Sequence, residues 1–215
     1  FEQFRMLPPV LELQVLNSRL DVEGATVSFL VVPKPIRFPG EFCFDAVGQL
    51  MDAIKLLGMD KRTLVVIVSD HGESLDELKS RYGYAFDHGE FLYAHQLRIP
   101  LIMRMPQKFE EFSSPMVHES PVSIVDVMPT ILDLLGIEPR KQPMVGRSLV
   151  PLLAQQPFED RPVFTQRRFF EEAVRDFLGE EEYSIIKGDL HLIQSTRRGN
   201  ELYNLANDPA EFTNL

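Results

Sequence analysis

The run LVVIV at residues 64–68 constrains this chain more than any other stretch. It is too short for a helix and rich in β-branched residues, so it reads as a strand buried on both faces. The run stops at Ser69-Asp70-His71-Gly72-Glu73, which sets a carboxylate and an imidazole where the strand ends. Ligand sites in open α/β sheets lie in the crevice outside such carboxyl ends. A second polar group, Asp87-His88-Gly89-Glu90, follows with His95 beyond it, and an apolar run at 99–103 then returns the chain to a sheet. Aspartate oxygen and neutral imidazole nitrogen are ordinary ligands for a divalent cation. The dipeptide alone leaves a second reading open, a loop in which Asp70 caps a helix and His71 is solvated.

The flanking patterns supply a scaffold. Phe44, Val47, Leu50, Met51, Ile54 and Leu57 recur at three-four spacing, which predicts an amphipathic helix over 44–57 that Gly58 terminates. Further upstream, a short helix is expected over 10–20 and a buried strand at VSFLVV, residues 27–32. The proline-punctuated loop at 33–40 follows, with Lys34 and Arg37 read as solvated charges. After the first polar group, 73–80 is expected to be helical with Ser69 or Asp70 as its cap, turning a positive dipole end toward an anionic ligand.

Downstream, residues 106–121 read as a polar loop in which His118 has no supporting motif. Ile124, Val127, Met128, Ile131, Leu134 and Leu135 predict a helix that begins near Val127, with Asp126 as cap, Pro129 in the first turn and Gly136 as stop. The texture changes after Pro157. A strand at 163–166 and a helix at 169–178 are expected there. A hairpin around Lys187-Gly188-Asp189 and a strand at 201–205 follow.

Composition excludes several classes. The formal charge of −10 argues against nucleic acid as a partner. No apolar run approaches the length of a membrane span. Cys43 is the single cysteine, so neither an internal disulfide nor a cysteine metal cluster can form. Residues 1–10 lack an initiator Met and hold Glu2, Pro8 and Pro9, so they do not read as a signal peptide. A truncated or processed start is expected, and the compartment stays open.

Five stretches together resemble the C-terminal half of the sulfatase family, within the alkaline-phosphatase-like superfamily of metal-dependent hydrolases. They are TLVVIVSDHGES at 63–74, HGEFLYAHQLRIPLIMRMP at 88–106, VDVMPTILDLLGI at 125–137, GRSLVPLL at 146–153 and ELYNLANDPAEFTNL at 201–215. The resemblance implies an α/β fold, a mixed sheet flanked by helices and only partly present. It places the C-terminal portion of the catalytic domain in residues 1–155 and a small antiparallel β subdomain in 156–215. It casts Asp70 and His71 as ligands of a divalent metal ion, calcium first, with manganese, zinc or magnesium as alternatives. It casts His88 as the group that touches the ester's anionic oxygens, and His95 and Arg98 as structural. The implied substrate is a small-molecule or glycan sulfate ester.

The chain departs from the family pattern at two points. The family's nucleophile arises from a C/S-x-P-x-R motif, and further ligands come from an Asp-Asp pair; neither occurs here. Cys43, in Phe42-Cys43-Phe44, lacks the required proline and arginine and reads as a helix-start residue. The chain alone is therefore expected to be inactive, and two ligands are fewer than a catalytic metal needs. Asp-His, where many sulfatases have Asp-Asn, keeps a phosphate or phosphonate ester hydrolase open, and a non-catalytic remnant is the other alternative. An uncovered apolar sheet edge is expected to make the chain self-associate.

Overall fold

The computed structural model describes residues 21–22, 25–27, 41–83, 88–112, 115–138, 144–167 and 181–215. The helices expected over 10–20 and 169–178, most of the strand at 27–32, the loop at 33–40 and Asp87 lie outside them. The chain divides into two units, one of residues 1–67 and 102–110, the other of 68–101 and 111–215.

The first unit is built on a mixed sheet in the order β1 (Asp21–Val22), β2 (Ala25–Val27), β3 (Thr63–Val68), β4 (Leu101–Arg104). β1 and β2 are antiparallel, whereas β2 and β3 are parallel, with Val27 opposite Leu64. β3 is the apolar run at residues 64–68 extended by Thr63. Its first half is buried and Val66 to Val68 are only half-buried, so cover on both faces holds for Thr63, Leu64 and Val65 alone. Before it runs α1 (Glu41–Leu56), whose Val47, Leu50, Met51 and Ile54 form the half-buried stripe. Leu57 falls outside that stripe and is 71% exposed, because the helix has already ended. The N–H of Met59 bonds to the Ile54 carbonyl at 3.0 Å across Gly58, which takes the left-handed conformation the stop requires.

The second unit contains a four-stranded antiparallel sheet of β5 (Val163–Arg167), β6 (Glu182–Lys187), β7 (Leu190–Ser195) and β8 (Gly199–Asn204), in sequence order. Gly188 and Asp189 make the two-residue turn between β6 and β7, in register with Lys187 opposite Leu190. β7 alternates strictly, with His191, Ile193 and Ser195 inward. Ile193 and Tyr203 from this sheet join Leu78, Phe91, Leu92 and Tyr93 in one buried cluster. The short helices α2 (Lys79–Tyr82) and α3 (Ala94–Leu97) flank that cluster in the chain.

α4 (Val127–Leu134) follows a turn of 3-10 helix at Ile124–Asp126 and ends at Gly136, as its pattern predicts. Asp126 does not act as its cap. Its buried carboxylate accepts the N–H of Ser123 at 3.0 Å and of Arg147 at 2.9 Å, and it pairs with Arg161. A Cβ on Gly146 would sit 1.8 Å from the Val125 carbonyl oxygen, so this contact admits glycine only. That close approach lets the next residue reach Asp126, and Leu149 N–H then bonds to Thr130 Oγ1 at 2.9 Å. α5 (Val150–Leu153) completes the segment.

Candidate metal centre

β3 leads into residues 69–73, and the expected helix at 73–80 does not begin there. The N–H groups of Gly72 and Glu73, which a helix start would leave open, bond to the carbonyls of Gln96 at 2.7 Å and His95 at 3.2 Å. Only Lys79–Tyr82 is helical. Ser69 caps nothing: its hydroxyl donates to the His71 carbonyl at 2.7 Å. The dipole argument for an anion at this point therefore fails. What replaces it is a loop clamped against α3. A Cβ on Gly72 would meet the His95 carbonyl oxygen at 2.2 Å, so the clamp requires a glycine.

The same turn holds the second histidine. The buried side-chain oxygen of Gln96 accepts the N–H groups of Gly89 at 3.0 Å and Phe91 at 3.3 Å. One residue thus fixes 72 through its backbone and 89–91 through its side chain. The result brings His71 and His88 face to face, with ring centroids 3.6 Å apart and planes 7° from parallel. Both rings come from the tetrapeptide Asp-His-Gly-Glu, at 70–73 and again at 87–90.

The donor atoms are ordered. His71 Nδ1 lies 2.6 Å from the Gly72 carbonyl, which can only accept, so this nitrogen carries the hydrogen and Nε2 keeps its lone pair. That Nε2 faces Asp70 Oδ1 at 3.5 Å. Two lone-pair donors facing each other at this separation match the span of two ligands on one divalent cation, each about 2.0–2.5 Å from it. His88 Nδ1 lies 3.3 Å from Glu73 Oε2. Donor atoms of His71, Glu73 and His88 all fall within 4.8 Å of one another. The donor set therefore fits a divalent cation. Asp70 is 81% exposed and Glu73 42%, while His71 and His88 are mostly covered.

Among the residues expected at the site, His71 and His88 are brought together, and Asp70 stands at the rim beside His71. Glu73 and Gln96 join them without having been singled out from the sequence. The second Asp-His-Gly-Glu was a usable signal for Glu73; nothing local marks Gln96. His95 stacks on Tyr93 at 6.0 Å, and burial holds its imidazole below the ordinary histidine range despite the nearby Glu77 and Glu211.

The family model for sulfatases matches residues 45–137. Over these residues the chain is similar to the sulfatase family. An endo-4-O-sulfatase of Bacteroides thetaiotaomicron is 33% identical over 115 residues, which is 53% of this chain and 21% of that protein. A solved structure of a protein in complex with its substrate D-glucosamine-2-N,6-O-disulfate superposes with TM-score 0.60 at 28% identity, over 79% of this chain and 33% of its own. The phosphonate monoester hydrolase of Agrobacterium radiobacter gives TM-score 0.64 at 24% identity, over 79% of this chain and 34% of its own, a likeness of fold alone. The matches span 21% to 34% of the length of these relatives. The mixed sheet and the small antiparallel sheet are those of the alkaline-phosphatase-like fold of the sulfatases. Among the described residues no helix is long and apolar enough to cross a membrane.

Proposed function

We propose that this chain forms part of a metal-dependent sulfate-ester hydrolase, in which Asp70 and His71 hold the divalent cation and His88 contacts the ester's anionic oxygens. The observation that carries the reading is the opposition of Asp70 Oδ1 and His71 Nε2 at 3.5 Å, with the His71 hydrogen already committed to the Gly72 carbonyl. A bound cation supplies charge neutralisation of the ester and lowers the pKa of the attacking group. The chain's own residues supply position. Gly72 fixes which nitrogen of His71 is a lone-pair donor. Glu73, beside His88 Nδ1, accepts a hydrogen from that nitrogen, and Nε2 must carry a second hydrogen to donate to an oxygen of the ester. The imidazole in the set suits zinc better than calcium, and the carboxylates suit calcium, magnesium or manganese.

The chain by itself is read as inactive, because it contains no C/S-x-P-x-R nucleophile motif. Its substrate in the assembled enzyme is a small-molecule or glycan sulfate ester. A phosphate or phosphonate ester is the second reading, favoured by histidine rather than asparagine at residue 71. Self-association fits the half-exposed Ile102 on β4, the last strand of the described sheet.

The test is calorimetric titration with Mn²⁺, Zn²⁺ and Ca²⁺ of the chain and of Asp70→Ala, beside turnover of aryl sulfate and aryl phosphate esters. One equivalent bound by the chain, with about ten-fold weaker binding in the variant, is the expected result. Unchanged binding in Asp70→Ala removes Asp70 from the site. Turnover by the chain, lost in the variant, would show that it supplies its own nucleophile and would name the ester class.

A further inference from the structure

The turn that clamps both histidine loops is itself held from a distant part of the sequence. Ala94, the first residue of α3, gives its N–H to Glu211 Oε2 at 2.6 Å. The other carboxylate oxygen, Oε1, lies 2.5 Å from His191 Nδ1 on β7. Glu211 is 1% exposed and His191 0%. Both oxygens of a buried carboxylate are thus engaged, one by a strand of the antiparallel sheet and one by the site turn.

The backbone at Glu211 adds an independent observation. Its φ is +58°, in the left-handed region that side-chain-bearing residues avoid. Among the described residues the only other non-glycine at positive φ is Gln155. Glycine would adopt this conformation freely but has no carboxylate to offer. A strained position kept by a charged, fully buried residue implies that the side chain is required there.

We propose that Glu211 is a positioning residue for the candidate metal centre: it fixes α3, and α3 fixes the two loops that bring His71 and His88 together. The contacts run from Glu211 to the Ala94 N–H, through the turn to the carbonyls of His95 and Gln96 that hold Glu73 and Gly72, and to the Gln96 side chain that holds Gly89 and Phe91. The functional meaning of this role rests on the metal-site reading above; the mechanical coupling does not.

Amide hydrogen exchange, followed residue by residue by NMR, tests the coupling without any metal. In Glu211→Gln and Glu211→Gly, exchange at Gly72, Glu73, Gly89 and Phe91 is expected to accelerate about ten-fold or more, while the β6 and β7 amides keep their protection. Glu211→Gly separates strain from tethering, since it relieves the backbone yet removes the acceptor. Arg161→Leu, which removes the ion pair to Asp126, serves as a control that lowers the melting temperature without this selective pattern. Gln96→Met reports the second half of the coupling even where the Glu211 variants fold poorly, and is expected to release Gly89 and Phe91 and spare Gly72 and Glu73. Faster exchange confined to Ala94 and the antiparallel sheet would overturn the proposal, as would a Gln96→Met pattern no different from wild type. Mn²⁺ affinity is the second arm, expected to fall about ten-fold in Glu211→Gln and to hold in Arg161→Leu. A wild-type chain that takes up no Mn²⁺ would sink the metal-site reading, and the exchange result would still decide the coupling.

Discussion

Two clusters of ionisable side chains, one held through α3 and one gathered around Tyr93, are built on opposite rules. In the first, around His71 and His88, carboxylates reach toward solvent and lone pairs face each other. In the second, every charge is answered from inside. Glu201 Oε2 accepts hydroxyl hydrogens from Tyr93 and Tyr203, each at 2.7 Å. Arg198 pairs with the fully buried Glu182, reaches Glu201 at 3.4 Å and Tyr82 at 2.7 Å, and lies 4.9 Å from the Phe91 ring centroid. Arg81 donates to Tyr93 and Tyr203, both at 3.1 Å. A matched, buried cluster defines which packing is correct. An exposed one with opposed donors has room left for a cation. The two differ in exposure of their carboxylates and in residue type, imidazoles beside carboxylates in the first and guanidiniums beside phenols and glutamates in the second.

The comparison is sharpest where it can be broken. Arg198→Met leaves Glu182 buried with, among the described residues, only Arg167, 3.5 Å away, to offset it, so a loss of about 3–5 kcal/mol is expected in denaturant unfolding. Gly72→Ala forces the Cβ against the His95 carbonyl, and about 2–3 kcal/mol of stability together with divalent-cation binding should go. If stability falls while binding persists, the clamp does not build the site.

Alkaline pH probes the buried cluster through its tyrosines. Burial first, and then hydrogen bonds, push the Tyr93 hydroxyl well above the ordinary phenol range and Tyr203 up to about 12. A raised folded value means that the unfolded chain loses its proton first. The Tyr203 contribution is therefore intact below pH 10 and is lost as the pH climbs toward 12. The melting temperature should fall across that window, and less steeply in Tyr203→Phe.

The smallest expected change in stability belongs to the candidate site itself. Asp70→Asn, at a residue 81% exposed, should shift unfolding by no more than about 0.5 kcal/mol while weakening the cation. A large stability loss there would place Asp70 with the scaffold instead.

Much of this was legible in the sequence wherever one period or one turn residue decides the structure. β3, α1 with its Gly58 stop, α4 and the Gly188 turn follow from local pattern. Asp70, His71 and His88 stand out as candidates because polar residues interrupt apolar runs there. The helix expected at 73–80 was misread for a physical reason: its first N–H groups bond to residues more than twenty positions away, which no local propensity reports. Gln96 and Glu211 were invisible for the same cause. Each acts through backbone groups of another segment, and an isolated glutamine or glutamate carries no mark of that.

The Glu211 tether also sets an order of assembly. Ala94 and Glu211 are 117 residues apart, so during synthesis α3 emerges long before its anchor exists. Loop closure over that span is slow compared with local turns. The turn at Ala94 cannot gain this contact until residue 211 has been made. A chain interrupted before residue 211 would carry both histidines without the buried carboxylate that tethers the turn between their loops.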